Sequence, residues 1–187
     1  MLAPAWIASA AVFTSPDDAL TRHLARLDTS GALAVGVDIS TGMLRVARRA
    51  VPGVPTLCAD IERALPFADE TFDAALCALI GEHLANLDGT FGEARRVLKA
   101  GGRYLFTVYH PAMAAAGKEA NFERDGVEYR LGAHRHTIED YVAALEAAGF
   151  AGVEVREYAG DTALAEALPI AARYLDFPLL LALGAVK

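Results

Sequence analysis

The sequence predicts an α/β fold built on a doubly wound, mainly parallel sheet. Two observations carry that expectation. From residue 33 to residue 109, short apolar and partly β-branched runs alternate with patterns of helical period, the order that βαβ units impose. Two of these runs, residues 33–38 and 54–60, end in a lone carboxylate, Asp38 and Asp60. That puts charge at the carboxyl end of buried strands, where open α/β sheets bind their ligands.

The 187 residues are 54% hydrophobic, enough for one domain with a sizeable core. Net charge is −7, and Lys and Arg are scattered along the chain, so no basic stripe marks a nucleic-acid partner. No apolar run reaches the roughly eighteen residues that a membrane span needs. Residues 1–13 mimic a signal peptide, with Ala8-Ser9-Ala10 as a cleavage-like triplet, but they lack the positive leading segment. Residues 6–13 are read instead as a buried first strand.

The next element starts at Thr14-Ser15-Pro16-Asp17-Asp18. Ser15 can cap, Pro16 suits the first helical position, and two acids follow where the helix dipole favours them. Leu20, Leu24 and Leu27 continue this helix as one apolar stripe to about Ser30-Gly31. Residues 33–38 form the second strand. Ser40 then caps a second helix whose inner face carries Met43, Leu44, Ala47 and Val51. Residues 54–59 are the third strand, 62–71 a polar loop and 72–79 the fourth strand. A helix is expected over 88–99, with Phe91, Ala94 and Leu98 inward and Gly101-Gly102 as its stop signal. Residues 103–109 form the fifth strand, ended by His110-Pro111.

The segment 112–136 departs from this rhythm. Residues 121–131 alternate around Asp125-Gly126, a strong hairpin signal, and read as an inserted ribbon, a lid at the binding edge. Residues 137–148 are an amphipathic helix with Ile138, Tyr141, Val142 and Leu145 on one face. Two last strands, 153–158 and 178–186, enclose a helical stretch at 161–168.

Four segments in this order are similar to the class I S-adenosylmethionine-dependent methyltransferases of small molecules. They are Gly36-Val37-Asp38-Ile39-Ser40, then Asp60, then Leu65-Pro66-Phe67 with Phe72-Asp73, then Arg96-Val97-Leu98-Lys99-Ala100-Gly101-Gly102. The resemblance covers residues 33–187. It implies a Rossmann-like, seven-stranded sheet whose last strand runs antiparallel, in a single methyltransferase-like domain over residues 1–187. It also implies S-adenosyl-L-methionine as cofactor and a small-molecule methyl acceptor. Carried over by position, Asp38 takes the ribose hydroxyls, Ile39 and Met43 flank the adenine, Asp60 with Ile61 meets the adenine amino group, and Ala78 and Leu79 line the methionine end. In the implied strand order Cys58 and Cys77 lie three strand spacings apart, about 14 Å, too far for a disulfide. Two reduced thiols imply a cytoplasmic setting.

One motif departs from the family. The glycine-rich first turn falls by spacing at Thr14 to Asp18, where this chain has Pro16 and two acids and no glycine. Side chains there occupy the space of the cofactor's methionine part, and the acids lie beside its carboxylate, so weak binding is expected. The alternative is a methyltransferase-like fold that has lost the cofactor and serves as a partner-binding or structural protein. A nicotinamide-dependent dehydrogenase shares the strand-end acid but gives Asp60 and the Leu-Pro-Phe loop no role. For a base or an acceptor-orienting group the candidates are His83, after the fourth strand, and His110, at the end of the fifth, with Tyr109 behind them. Packing or capping is the competing role for His83, while His110 faces the region where a methyl acceptor should lie. His83 matches the second histidine of a pair, with Glu82 in place of the first. His134 and His136 flank Arg135 in a loop, and the histidines and cysteines are too dispersed for a metal site.

Overall fold

The computed structural model describes residues 5–10, 33–118, 121–130 and 132–187. Seven strands make one sheet: β1 (Ala5–Ala10), β2 (Leu33–Asp38), β3 (Thr56–Cys58), β4 (Phe72–Ala78), β5 (Leu98–Tyr109), β8 (Ala151–Ala159) and β9 (Pro178–Val186), in the order β3-β2-β1-β4-β5-β9-β8. The pairs from β3 across to β5 are all parallel, whereas β9 runs antiparallel to both β5 and β8. The doubly wound sheet with an antiparallel last strand is therefore present as expected. Strand order reverses between β1 and β4, and that switch point fixes where a crevice opens at the carboxyl edge. The expected helix from Ser15 to about Ser30, the first strand beyond residue 10 and the turn at Thr14–Asp18 lie outside the described residues.

The helices begin where side chains can satisfy their first amides. In α1 (Thr41–Ala50) the Ser40 hydroxyl accepts from the Met43 amide, and in α2 (Leu87–Val97) Asn86 does the same for Gly89. A capping box between Thr137 and Asp140 starts α4 (Ile138–Ala147), and Asp161 caps α5 (Thr162–Ala167). Two departures from the sequence reading have local causes. Helix α2 ends at Val97 rather than Lys99, because Leu98 already pairs with Phe72 and the register then shifts; Gly101, at φ +73°, absorbs the bend. The third strand shrinks to three residues, although Val54 ahead of it is buried.

The main core fills one face, where α2 and α4 pack on the sheet. Phe91 stands edge-on to both Tyr104 and Phe106, and Tyr141 and Leu145 close over them. Burying each such ring contributes on the order of 2–3 kcal/mol. On the other face Leu44, Ala47, Val51 and Val54 pack around Ala78.

Two segments of the family pattern turn out to be one structure. The Arg96 guanidinium donates to the carbonyls of Leu65 (3.0 Å) and Phe67 (2.8 Å) while pairing with Glu93 and Asp69. Lys99 likewise holds Asp73, at 2.9 and 3.0 Å. The Arg-Val-Leu-Lys and Leu-Pro-Phe segments thus clamp each other, and the loop after β3 is held over the sheet edge.

The insertion after β5 begins with a short helix that the sequence reading lacks, α3 (Pro111–Ala115), and continues as a two-stranded ribbon, β6 (Asn121–Arg124) and β7 (Val127–Arg130). Asp125 and Gly126 both have positive φ, 53° and 75°, the backbone that a two-residue hairpin turn requires.

Candidate active site

Two cavities open at the carboxyl edge of the sheet. The smaller, about 150 Å³, is lined by the ends of β2 and β3 and by the turn after β4: Val37, Asp38 and Ile39, residues 59–62, and Ile80, His83 and Leu84. The larger, about 620 Å³, lies beyond the end of β5 and is lined by Glu82, Tyr109, His110, His134, His136 and Tyr141 among others from the insertion and the segment before β9. The 3₁₀ turn Gly81–His83 stands between them.

In the smaller cavity Asp38 is 8% exposed, and its Oδ1 accepts the Ser40 amide at 2.6 Å. Its carboxylate therefore fixes the chain ahead of α1, on a residue that lines the cavity. Ile39 beside it is 65% exposed, a large apolar side chain left facing outward at the cavity. Asp60 Oδ1 accepts the Glu62 amide at 3.0 Å and Oδ2 meets Arg63 at 3.3 Å, which fixes the turn after β3. Ile61 packs on the core and lines the same cavity.

The sequence reading gave Glu62 no role. It lines the cavity as well, and its Oε1 accepts the amides of Ala85 (2.7 Å) and Asn86 (2.6 Å), so one carboxylate ties the β3 loop to the start of α2.

Met43 sits half-buried on α1 and is not part of this cavity's lining. Ala78 is fully buried in the smaller core cluster, and Leu79 packs against that cluster. The Leu79 backbone is left-handed at φ +55°, its amide bonded to the Thr107 carbonyl at 2.7 Å, a conformation that costs a non-glycine residue about 1 kcal/mol or more. The chain thus turns sharply at the switch point, where Leu79 was expected to line the methionine end.

The histidines divide by environment. His110 is buried at the end of β5 with both ring nitrogens engaged: Nδ1 accepts the Ala112 amide at 3.1 Å, so Nε2 carries the proton and donates to Glu157 at 2.8 Å. It caps α3 on the cavity wall. His83 lines the smaller cavity, and burial lowers its pKa, so it stays neutral at neutral pH. His136 donates from Nε2 to the Leu84 carbonyl at 2.7 Å, and the His134 amide donates to the Glu82 carbonyl at 2.7 Å. These two bonds staple the loop after the ribbon across the 3₁₀ turn.

Glu82 is the residue whose weight the sequence reading missed. It is 9% exposed, lines the larger cavity, and neither carboxyl oxygen has a hydrogen-bond partner among the described residues. Burial raises its pKa from the ordinary 4.5 to about 7. The available signal was a lone acid in the otherwise apolar run Ala78-Leu79-Ile80-Gly81, which has to be buried with its neighbours. Among the described residues no group of His, Cys, Asp or Glu gathers into a metal site.

This geometry can be set beside known proteins. Residues 17–106 match the family described as a methyltransferase domain. Over 99% of its length the chain superposes on an S-adenosylmethionine-dependent methyltransferase from Mesorhizobium loti, covering 91% of that chain, with a TM-score of 0.76 and 22% identity. A putative S-adenosylmethionine-dependent methyltransferase from Listeria monocytogenes gives a TM-score of 0.77 at 20% identity, covering 98% of this chain and 90% of the other. The fold is thereby that of these S-adenosylmethionine-dependent methyltransferases, and residues 17–106 carry the methyltransferase-domain pattern.

Among individual proteins, the chain is similar to the demethylmenaquinone methyltransferases of Streptomyces avermitilis, 37% identical over 86 residues, and Symbiobacterium thermophilum, 42% identical over 76. Those matches take in 46% and 38% of this chain but only 37% and 30% of the relatives' length.

The cofactor of the class is S-adenosylmethionine, and the smaller cavity tests whether this chain fits it. A nucleoside needs acceptors for ribose hydroxyls and an amino group, with apolar walls for the base. Asp38, Asp60, Ile39, Ile61, Ile80 and Leu84 supply that set. The nucleoside half fits; the turn that would meet the methionine half lies outside the described residues.

Proposed function

We propose that this chain transfers a methyl group from S-adenosylmethionine to a small molecule held in the larger cavity. The observation that carries the reading is the shared wall: a cavity of about 150 Å³ with strand-end acids and a larger, mainly apolar cavity meet at the turn Gly81–His83. Asp38 and Asp60 would hold the nucleoside, and Ile39 and Ile61 its base. When bound, the cofactor supplies an activated methyl group, so what remains for the protein is alignment and, for an acceptor bearing a proton, a base. The insertion and the loop 132–136 would exclude water from the acceptor.

The acceptor of the curated relatives is not carried over. Every residue lining the larger cavity except Glu82 lies beyond residue 106, outside the family match. A cytoplasmic setting goes with this reading. Cys58 and Cys77 lie on strands three positions apart, and no helix among the described residues is long and apolar enough to cross a membrane.

A second reading, a partner-binding protein that keeps the fold but not the cofactor, is favoured by Pro16, Asp17 and Asp18 where the family has glycines. Calorimetric titration with S-adenosylhomocysteine separates the two. Saturable binding supports the enzyme; no heat at any concentration supports the second reading.

A further inference from the structure

We propose, building on the methyl-transfer reading, that Glu82 binds a hydroxyl group of the acceptor and takes its proton. A buried carboxyl with no hydrogen-bond partner among the described residues, on a residue that lines a cavity of about 620 Å³, is an acceptor awaiting a donor. Protein groups close by do not fill that place: His83 Nε2 stands 3.8 Å from Oε1, beyond hydrogen-bond range. The His136 ring is committed to the Leu84 carbonyl, and the His134 ring stacks on that of His136.

The charges around the cavity decide what kind of donor fits. Lys118 and Arg173 lie over the Tyr174 ring, 5.6 and 4.8 Å from its centre, and Arg130 lines the same wall. An ammonium ligand would be repelled by Lys118 and Arg173, with Arg130 paired to Glu128 at 3.4 Å, whereas a neutral hydroxyl would not. The remaining wall is apolar or aromatic, with Met113, Leu164, Leu168 and Leu179, which suits a hydrocarbon or ring body. In the proposed step the O–H bond breaks and the proton passes to the Glu82 carboxylate. The bond's electron pair stays on oxygen, which becomes the nucleophile. Glu82 is poised for this, since burial holds its pKa near neutrality.

Phenol and its methyl ether, anisole, are matched probes that differ in the donor. Each is titrated into the full chain without cofactor and followed by NMR, at about pH 6 and about pH 8, in wild type and in Glu82→Gln. Phenol is expected to bind about tenfold tighter than anisole at the higher pH, the increment of a hydrogen bond to a charged group. Its affinity should rise several-fold between the two pH values in wild type and stay flat in Glu82→Gln.

The other groups facing Glu82 are His83 on its own turn, His134 and His136 on the stapled loop, Tyr141 on α4 and His110 at the end of β5. All remain in the variant, so a pH dependence that survives there belongs to them and overturns the proposal. Equal affinity for phenol and anisole in wild type overturns it without any variant, as does failure of phenol to bind or tighter binding of benzylamine than of phenol. S-adenosylhomocysteine binding is measured apart, so loss of the Glu82 assignment leaves the cofactor reading standing.

Discussion

Glu82 and His83, neighbours in one 3₁₀ turn, face different cavities, Glu82 the larger and His83 the smaller, although Oε1 of one lies 3.8 Å from Nε2 of the other. Successive residues of a 3₁₀ turn point about 120° apart, so a single turn can serve two sites. Burial acts oppositely on the pair, raising the carboxyl pKa and lowering that of the imidazole, and so keeps both uncharged for longer.

That arrangement makes stability depend on pH in a calculable direction. An unfolded Glu82 loses its proton near 4.5 and the folded one at about 7. Between these values the folded Glu82 binds more proton than the unfolded one, so this carboxyl's contribution to stability falls as pH rises and levels off above about 7. Glu82→Gln removes this dependence. Relative to its difference from wild type at about pH 4, the variant should gain on the order of 3 kcal/mol by about pH 8. Urea denaturation of both proteins across that range checks it; parallel curves would contradict it.

Gly81 sets the position of the shared wall. A Cβ there would come within 2.5 Å of the Phe106 ring and 2.8 Å of a Val108 methyl, both on buried side chains. Gly81→Ala should therefore cost about 1–3 kcal/mol and displace the turn. Ligand affinity at both cavities should drop together, a joint loss that calorimetry with S-adenosylhomocysteine and NMR with phenol would register.

Arg96 holds the loop that carries Asp60 and Glu62 toward the sheet edge. Its partner Glu93 is partly buried, with a pKa lowered by the hydrogen bond from Arg96, and it also accepts the Leu65 amide at 2.6 Å. Arg96→Leu leaves that carboxylate without its cation and should cost about 1.5–3 kcal/mol. Denaturant midpoints would show the loss, and a change of less than about 1 kcal/mol would mean that the clamp is ornamental.

Most of the sheet could be read from the sequence, because buried parallel strands and capped helices leave local signatures. Ser40 and the Asp125-Gly126 turn act through neighbours within three residues, and both were legible. Glu82 was not, since its environment is made by residues 109 to 179, distant in sequence. His110 was read as a candidate base, but its engagement with Glu157, forty-seven residues away, is a tertiary fact. Arg96 was legible as a motif, and its reach to Leu65 and Phe67 was not. Local chemistry shows in the sequence; contacts between distant segments appear only once the sheet brings them together.

The central claim, that the acids at the strand ends hold the nucleoside of S-adenosylmethionine, is tested most directly by titrating S-adenosylhomocysteine into wild type and Asp38→Ala by calorimetry. Asp38 is buried and lines the cavity, so hydrogen bonds from ribose hydroxyls to its carboxylate should contribute about 1.5–3 kcal/mol. Saturable binding by wild type, weakened by about one to two decades in Asp38→Ala, is the predicted result. Equal binding by the two proteins, or none by wild type, would contradict the account.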